Sequence, residues 1–188
     1  MTCDARALIE IVERRIGLSL KGIRKDNDEG YAMIPFSADA FAEQIDRIRH
    51  EFDEYHYNLS FIDVGAGAGF RVLQASQMDL NATGIEYDKN YVDAAKKLFN
   101  LDLIHGDAFD HSYKKYDIVY FYCPIAVKEK EVQLEKHILR TCKSGAFIIA
   151  NLGQYITNHE HYDKKKNKYF KPFLPELQRI SNCIYRVR

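Results

Sequence analysis

The chain has no apolar run approaching the ~20 residues that would cross a bilayer. Its opening residues, Met1-Thr2-Cys3-Asp4-Ala5-Arg6, lack the basic-then-apolar layout of a secretory leader. Cysteine is sparse: Cys3, Cys123, Cys142 and Cys183 stand far apart, with no C-x-x-C pair. That spacing argues against a zinc site and against a disulfide framework, and it fits reduced thiols in a cytoplasmic protein. Internal repeats and low-complexity linkers are missing as well. Net charge is zero, but the balance is uneven. Residues 1–150 carry 19 basic and 24 acidic side chains, whereas 151–188 carry 8 basic and 3 acidic. Most of the late excess lies in Lys164-Lys165-Lys166-Asn167-Lys168-Tyr169-Phe170-Lys171. Basic residues interleaved with aromatics fit an anionic or nucleic-acid partner; a solvated loop is the plainer reading of the same run.

What is present fits a single α/β domain. At 188 residues the chain can bury one full core, with 46% apolar and 29% charged residues. An N-terminal lead-in (1–57) carries helical spacing at Leu8, Ile11, Val12, Arg15 and Ile16. An extended Tyr31–Ser37 follows, and then a helix from Ser37 to about Glu54. A core (58–152) alternates strands at 59–64, 82–86, 102–105, 116–122 and 146–152 with helices at 69–78, 89–99 and 126–142. The runs 116–122 and 146–150 are nearly continuous apolar stretches, as in strands buried on both faces of a parallel sheet. The expected architecture is a Rossmann-like doubly wound sheet. It is mostly parallel, with an antiparallel C-terminal strand and helices on both faces. In the final segment (153–188), Lys168–Leu174 and Cys183–Val187 are the candidate last strands.

The most informative stretch is Phe61-Ile62-Asp63-Val64-Gly65-Ala66-Gly67-Ala68-Gly69. A strand that runs into alternating glycines and then a helix is built to bring backbone close to a nucleotide-like ligand. The dinucleotide fingerprint G-x-G-x-x-G would place its third glycine at position 70, which is Phe70. Alternating glycines, with an acidic residue two positions before the first, instead resemble motif I of the class I S-adenosylmethionine-dependent methyltransferases.

Two further pieces follow in that family's order. Glu86 ends the second strand, 21 residues after Gly65, where a carboxylate can accept hydrogen bonds from ribose hydroxyls. His105-Gly106-Asp107-Ala108 follows the third strand. The resemblance implies S-adenosylmethionine as cofactor, with Asp63, Gly65, Ala66, Gly67 and Gly69 around the methionine end. It implies Glu86 and Tyr87 at the ribose and adenine, and Asp107 and Ala108 at the adenine edge. After the fourth strand the family's nitrogen-methylating members typically carry Asn/Asp/Ser-Pro-Pro-aromatic. Here the chain reads Tyr122-Cys123-Pro124-Ile125. Tyr122 and Pro124 are therefore candidates for positioning the acceptor, and packing is the alternative for Tyr122. No metal is expected, because Asn158-His159-Glu160-His161 has no partner pair. Methyl transfer to an unidentified acceptor is the implied activity. A non-catalytic S-adenosylmethionine-binding sensor and an aminopropyltransferase are the alternatives.

Overall fold

The computed structural model describes residues 37–52, 58–157, 161–163, 168–170 and 174–188, with backbone alone at 161–163 and 168–170. The expected helix at 5–18, the stretch from Tyr31 to Phe36, Asn158-His159-Glu160, and Lys164, Lys165 and Lys166 lie outside these residues.

Helix α1 (Ala38–Arg49) starts at Ser37, whose Oγ accepts from the Ala40 N–H at 3.4 Å. Strand β1 (Ser60–Val64) leads through the glycine turn into α2 (Phe70–Gln77). Next come β2 (Asn81–Glu86), α3 (Lys89–Phe99) and the short β3 (Ile104–His105). Asp88 caps α3, accepting from Asn90 N–H at 2.9 Å and Tyr91 N–H at 3.4 Å. Strand β4 (Ile118–Tyr122), α4 (Lys128–Thr141) and β5 (Phe147–Asn151) complete the alternation expected from the sequence.

The seven-stranded sheet has the order β3-β2-β1-β4-β5-β9-β8. The first five strands are parallel, and β9 (Ile184–Val187) runs antiparallel to β5. Chain leaving β1 turns toward β2, whereas chain leaving β4 turns toward β5. The C-terminal ends of β1 and β4 therefore flank the crevice where doubly wound sheets bind ligands.

One expectation for the tail is corrected. Lys168–Leu174 does not supply the penultimate strand of the sheet. β7 (Lys168–Phe170) pairs instead with β6 (His161–Asp163) in a separate antiparallel hairpin, with Tyr162 opposite Tyr169. The edge strand of the main sheet is β8 (Leu177–Arg179), antiparallel to β9. Proline explains the break: Pro172 and Pro175 lack the N–H that a sheet ladder needs. The chain turns at 174–177, with the Leu177 N–H donating to the Leu174 carbonyl at 3.0 Å, before a strand restarts. Cys183–Val187 lies where expected, as the strand beside β5.

Strand alternation separates two cores. Ile62, Val64, Val119, Phe121 and Ile148 face Leu134 and Ile138 of α4. Phe61, Ile118, Tyr120, Phe147 and Ile149 face Phe41, Ile45 and Ile48 of α1 and Ala75 of α2. Phe41 is fully buried, edge-on to Phe61 and Tyr120 with ring centroids 5.8 and 5.2 Å away. Burial of a side chain this size stabilises by about 1.5–3 kcal/mol, and each such ring pair adds about 0.5–1.5 kcal/mol.

Gly84 is where β2 lets the glycine turn and α2 approach. A Cβ there would lie 2.6 Å from Ala66 Cβ and 2.8 Å from Val72 Cγ2. We predict that Gly84→Ala lowers stability by about 1–3 kcal/mol, as overpacking does. Denaturant midpoints of the variant and parent check this, and equal midpoints would contradict it.

Candidate cofactor site

At the C-terminal ends of β1, β2 and β4 the structure forms a cavity of about 380 Å³. Of the residues singled out from the sequence, Gly65, Glu86, Tyr87, Asp107, Ala108 and Pro124 line it. Asp63, Ala66, Gly67, Gly69 and Tyr122 are not among its lining residues. Gly65 has φ +76°, and a Cβ on it would sit 2.6 Å from Pro124 Cβ. Only glycine lets these two loops meet in this way.

Glu86 joins two loops. Its Oε2 accepts from the Gly67 N–H at 2.7 Å, and its Oε1 accepts from the Asp88 N–H at 2.9 Å. The Gly65 and Ala66 N–H groups donate to the Ile85 carbonyl at 2.9 and 3.1 Å. Burial raises the Glu86 pKa above the ordinary carboxylate value, while the N–H donors of Asp88 and Gly67 oppose the rise. The Tyr87 N–H also donates to this carboxylate, so three backbone donors hold it where it lines the cavity.

Asp107 closes the opposite side. Its Oδ1 accepts from the Phe109 N–H at 2.9 Å in a tight turn, and the Tyr113 hydroxyl donates to the Ala108 carbonyl at 2.9 Å. Tyr113 is fully buried, and burial pushes its phenol pKa far up, so it stays a donor. The His111 and His137 rings pack edge-on against it, with His137 Nε2 2.8 Å from the His111 carbonyl.

Asp63 lies below the cavity, 4% exposed, on the sheet face that carries Phe61. Burial pushes its carboxyl up to about 7, opposed by the Arg71 guanidinium and reinforced by Glu86. Tyr122 is half-buried and packs against the cluster under α1.

Sequence reasoning missed the contribution of α4. Lys130, Gln133 and Leu134 line the cavity from one face of that helix, with Ile125 leading in. It also missed two carboxylates on the buried stripe of α4. Glu131 is 1% exposed and its Oε2 accepts the Cys123 thiol at 3.5 Å. Its Oε1 makes no hydrogen bond among the described residues. Glu135 is equally buried and accepts the N–H groups of Gln154, Tyr155 and Ile156 at 2.5, 2.8 and 2.5 Å. The available signal was helical spacing, since Glu131, Leu134, Glu135 and Ile138 share one face of α4.

Burial raises the Glu131 carboxyl from 4.5 to about 7, with the Cys123 thiol opposing and Glu135 adding. The folded chain therefore keeps this proton to a higher pH than the unfolded chain. The group's effect on stability becomes unfavourable as pH rises from about 4.5 through about 7. Glu131→Gln should flatten that decline without removing the thiol's acceptor. Denaturant midpoints between about pH 5 and 8 check it, and parallel curves for variant and parent would contradict it.

Residues 62–150 match the family model described as "Methyltransferase domain". No curated protein matches the chain in sequence. Among solved structures, the plantazolicin methyltransferase BpumL, in complex with a pentazolic desmethylPZN analog and SAH, is similar with a TM-score of 0.52 at 19% identity. That match covers 78% of this chain and 60% of that one. An RNA methyltransferase from Salinibacter ruber in complex with S-adenosyl-L-homocysteine gives 0.49 at 19% identity, over 61% of this chain and 75% of that one. A SAM-dependent methyltransferase from Thiobacillus denitrificans gives 0.47 at 18% identity, over 72% of this chain and 53% of that one. The glycine turn, the acidic strand end and the third loop all lie within the matched residues, so the stretch that builds the cavity is the part of the chain that is similar to a methyltransferase domain.

Proposed function

We propose that the protein is an S-adenosylmethionine-dependent methyltransferase that moves a methyl group to its acceptor by in-line displacement. The observation that carries this is the cavity wall, which sets a backbone-only surface at Gly65 between two carboxylates, Glu86 and Asp107. Such a site suits a ligand with hydroxyls near Glu86 and an amino-bearing ring edge near Asp107 and Ala108, with apolar Ile85, Phe109 and Leu134 between. Tyr87, 57% exposed, stands at the rim on the adenine side. Ala66, Gly67 and Gly69 shape the turn, and Asp63 holds it from beneath. When bound, the cofactor supplies a methyl group on a sulfonium, which a nucleophile displaces without a covalent enzyme intermediate. The protein's share is positioning, worth about 7–11 kcal/mol in favourable intramolecular cases.

Pro124 forms the wall nearest the glycine turn, and we assign it acceptor positioning together with Tyr122, which acts through its packing at the end of β4. Because Tyr122 does not line the cavity, it does not stopper it; this favours transfer over a sensor that only binds the cofactor. Cytoplasmic residence fits the thiols of Cys142 and Cys183, which form no disulfide among the described residues. No helix among the described residues is long and apolar enough to cross a membrane. An anionic or nucleic-acid partner at Lys164, Lys165, Lys166 and Lys168 rests on the charge asymmetry of the sequence.

Glu86→Ala should weaken S-adenosylhomocysteine binding by about 10- to 100-fold, the loss of one or two hydrogen bonds to a charged acceptor. Calorimetry on the folded variant checks it, and unchanged affinity would remove Glu86 from the site. Neutralising Lys164, Lys165 and Lys166 should flatten the salt dependence of binding to single-stranded RNA. If the parent shows no such binding at low salt, the nucleic-acid reading fails.

A further inference from the structure

A buried polar chain runs beneath the glycine turn, from Asp63 on β1 to the start of α1. Asp63 pairs in register with Tyr120 across β1 and β4, so the two side chains share the sheet face under α1. Arg71, in the first turn of α2, reaches into the same layer. Its guanidinium carbon stands 5.5 Å from the Phe41 ring centroid, and that ring meets Tyr120 edge-on at 5.2 Å. Arg71 is 6% exposed and Asp63 is 4% exposed.

We propose, resting on the cofactor reading above, that Arg71 is a positioning residue for the cofactor: it keeps Asp63 negatively charged beneath the glycine turn and ties the helix after that turn to α1.

An arginine is seldom buried unless its charge and its N–H groups are met. One end of the chain meets the N–H groups. Arg71 Nη1 donates to Gln74 Oε1 at 2.5 Å, and Gln74 Nε2 donates to the Ala38 carbonyl at 2.7 Å. Gln74 is 1% exposed, and Ala38 is the first residue of α1, so the guanidinium is fixed from the helix above. At the other end lies Asp63.

Three ionisable groups among the described residues face Asp63: Arg71 from α2, Glu86 from β2 and the Tyr120 phenol from β4. Burial raises the Asp63 carboxyl, Arg71 opposes the rise and Glu86 adds to it, leaving it at about 7. Burial also pushes the Tyr120 phenol far up, so that group stays neutral. Without the guanidinium, Asp63 would face only burial and a second carboxylate, and both favour its protonated form. A charged Asp63 attracts the ammonium at the methionine end of the cofactor, and a protonated one does not. Arg71 does not line the cavity, so it acts through Asp63.

The test compares S-adenosylhomocysteine with 5′-methylthioadenosine, which lacks the amino-acid end, by calorimetry on the full chain between about pH 5 and 8.5. The ratio of the two affinities isolates the amino-acid end. In the parent, preference for S-adenosylhomocysteine should fall as pH drops through about 7, by at most about tenfold per pH unit. In Arg71→Met the fall should begin about one pH unit higher. Arg71→Lys, which keeps the charge, should return the midpoint toward the parent's, and Asp63→Asn should make the ratio flat. A purely structural Arg71 would weaken both ligands together and leave the midpoint in place. Coincident profiles of Arg71→Met and the parent, or a slope that survives in Asp63→Asn, would overturn the proposal. If Arg71→Met does not fold, adding Asp63→Asn to it, which removes both charges, should restore the fold; failure to do so would make Arg71 a scaffold residue and end the proposal. Loss of both ligands by the parent at every pH would instead strike the cofactor reading.

Discussion

The site is organised around one half-buried carboxylate, Glu86. Glu86 ends β2 and ties the Gly67 N–H of the first loop to the Asp88 N–H at the start of α3. Removing it would strand these backbone donors and leave the glycine turn tied to the strand beside it through the Gly65 and Ala66 N–H groups on the Ile85 carbonyl. The same side chain both ties the loops and lines the cavity. Burial raises its pKa above the ordinary carboxylate value, and the backbone donors that hold it oppose that rise.

On the other side of the β1–β4 crevice, α4 does comparable work with two more buried carboxylates. Glu131 fixes the strained turn at Cys123, and Glu135 fixes the chain after β5. The loops after β1 and β2 are thus tied together from β2, and those after β4 and β5 from α4. Gly65 and Pro124 meet between them, too closely for any side chain at position 65.

Much of this was legible in the sequence, for physical reasons. β4 and β5 are buried on both faces and so read as apolar runs, and the glycine turn announces itself because no other residue fits its backbone angles. Gly65, Glu86, Asp107 and Ala108, singled out through the family resemblance, line one cavity. The tail misled because Lys168–Leu174 has local strand character, while the main sheet takes Leu177–Arg179, beyond the prolines. Glu131 and Glu135 were hidden for a different reason. Charged residues in a helix ordinarily face water, and these two are buried by loop donors whose approach no local pattern reveals. Asp63 was legible as a member of the motif, but its burial beneath the loop beside Arg71 follows from tertiary packing.

The central claim is that the cavity is shaped for S-adenosylmethionine and not for a dinucleotide. Calorimetric titration of the purified protein with S-adenosylmethionine, S-adenosylhomocysteine, decarboxylated S-adenosylmethionine and NAD tests it most directly. The account predicts saturable binding of the first two and little of the others. Binding of NAD in preference, or of none of the four, would contradict it.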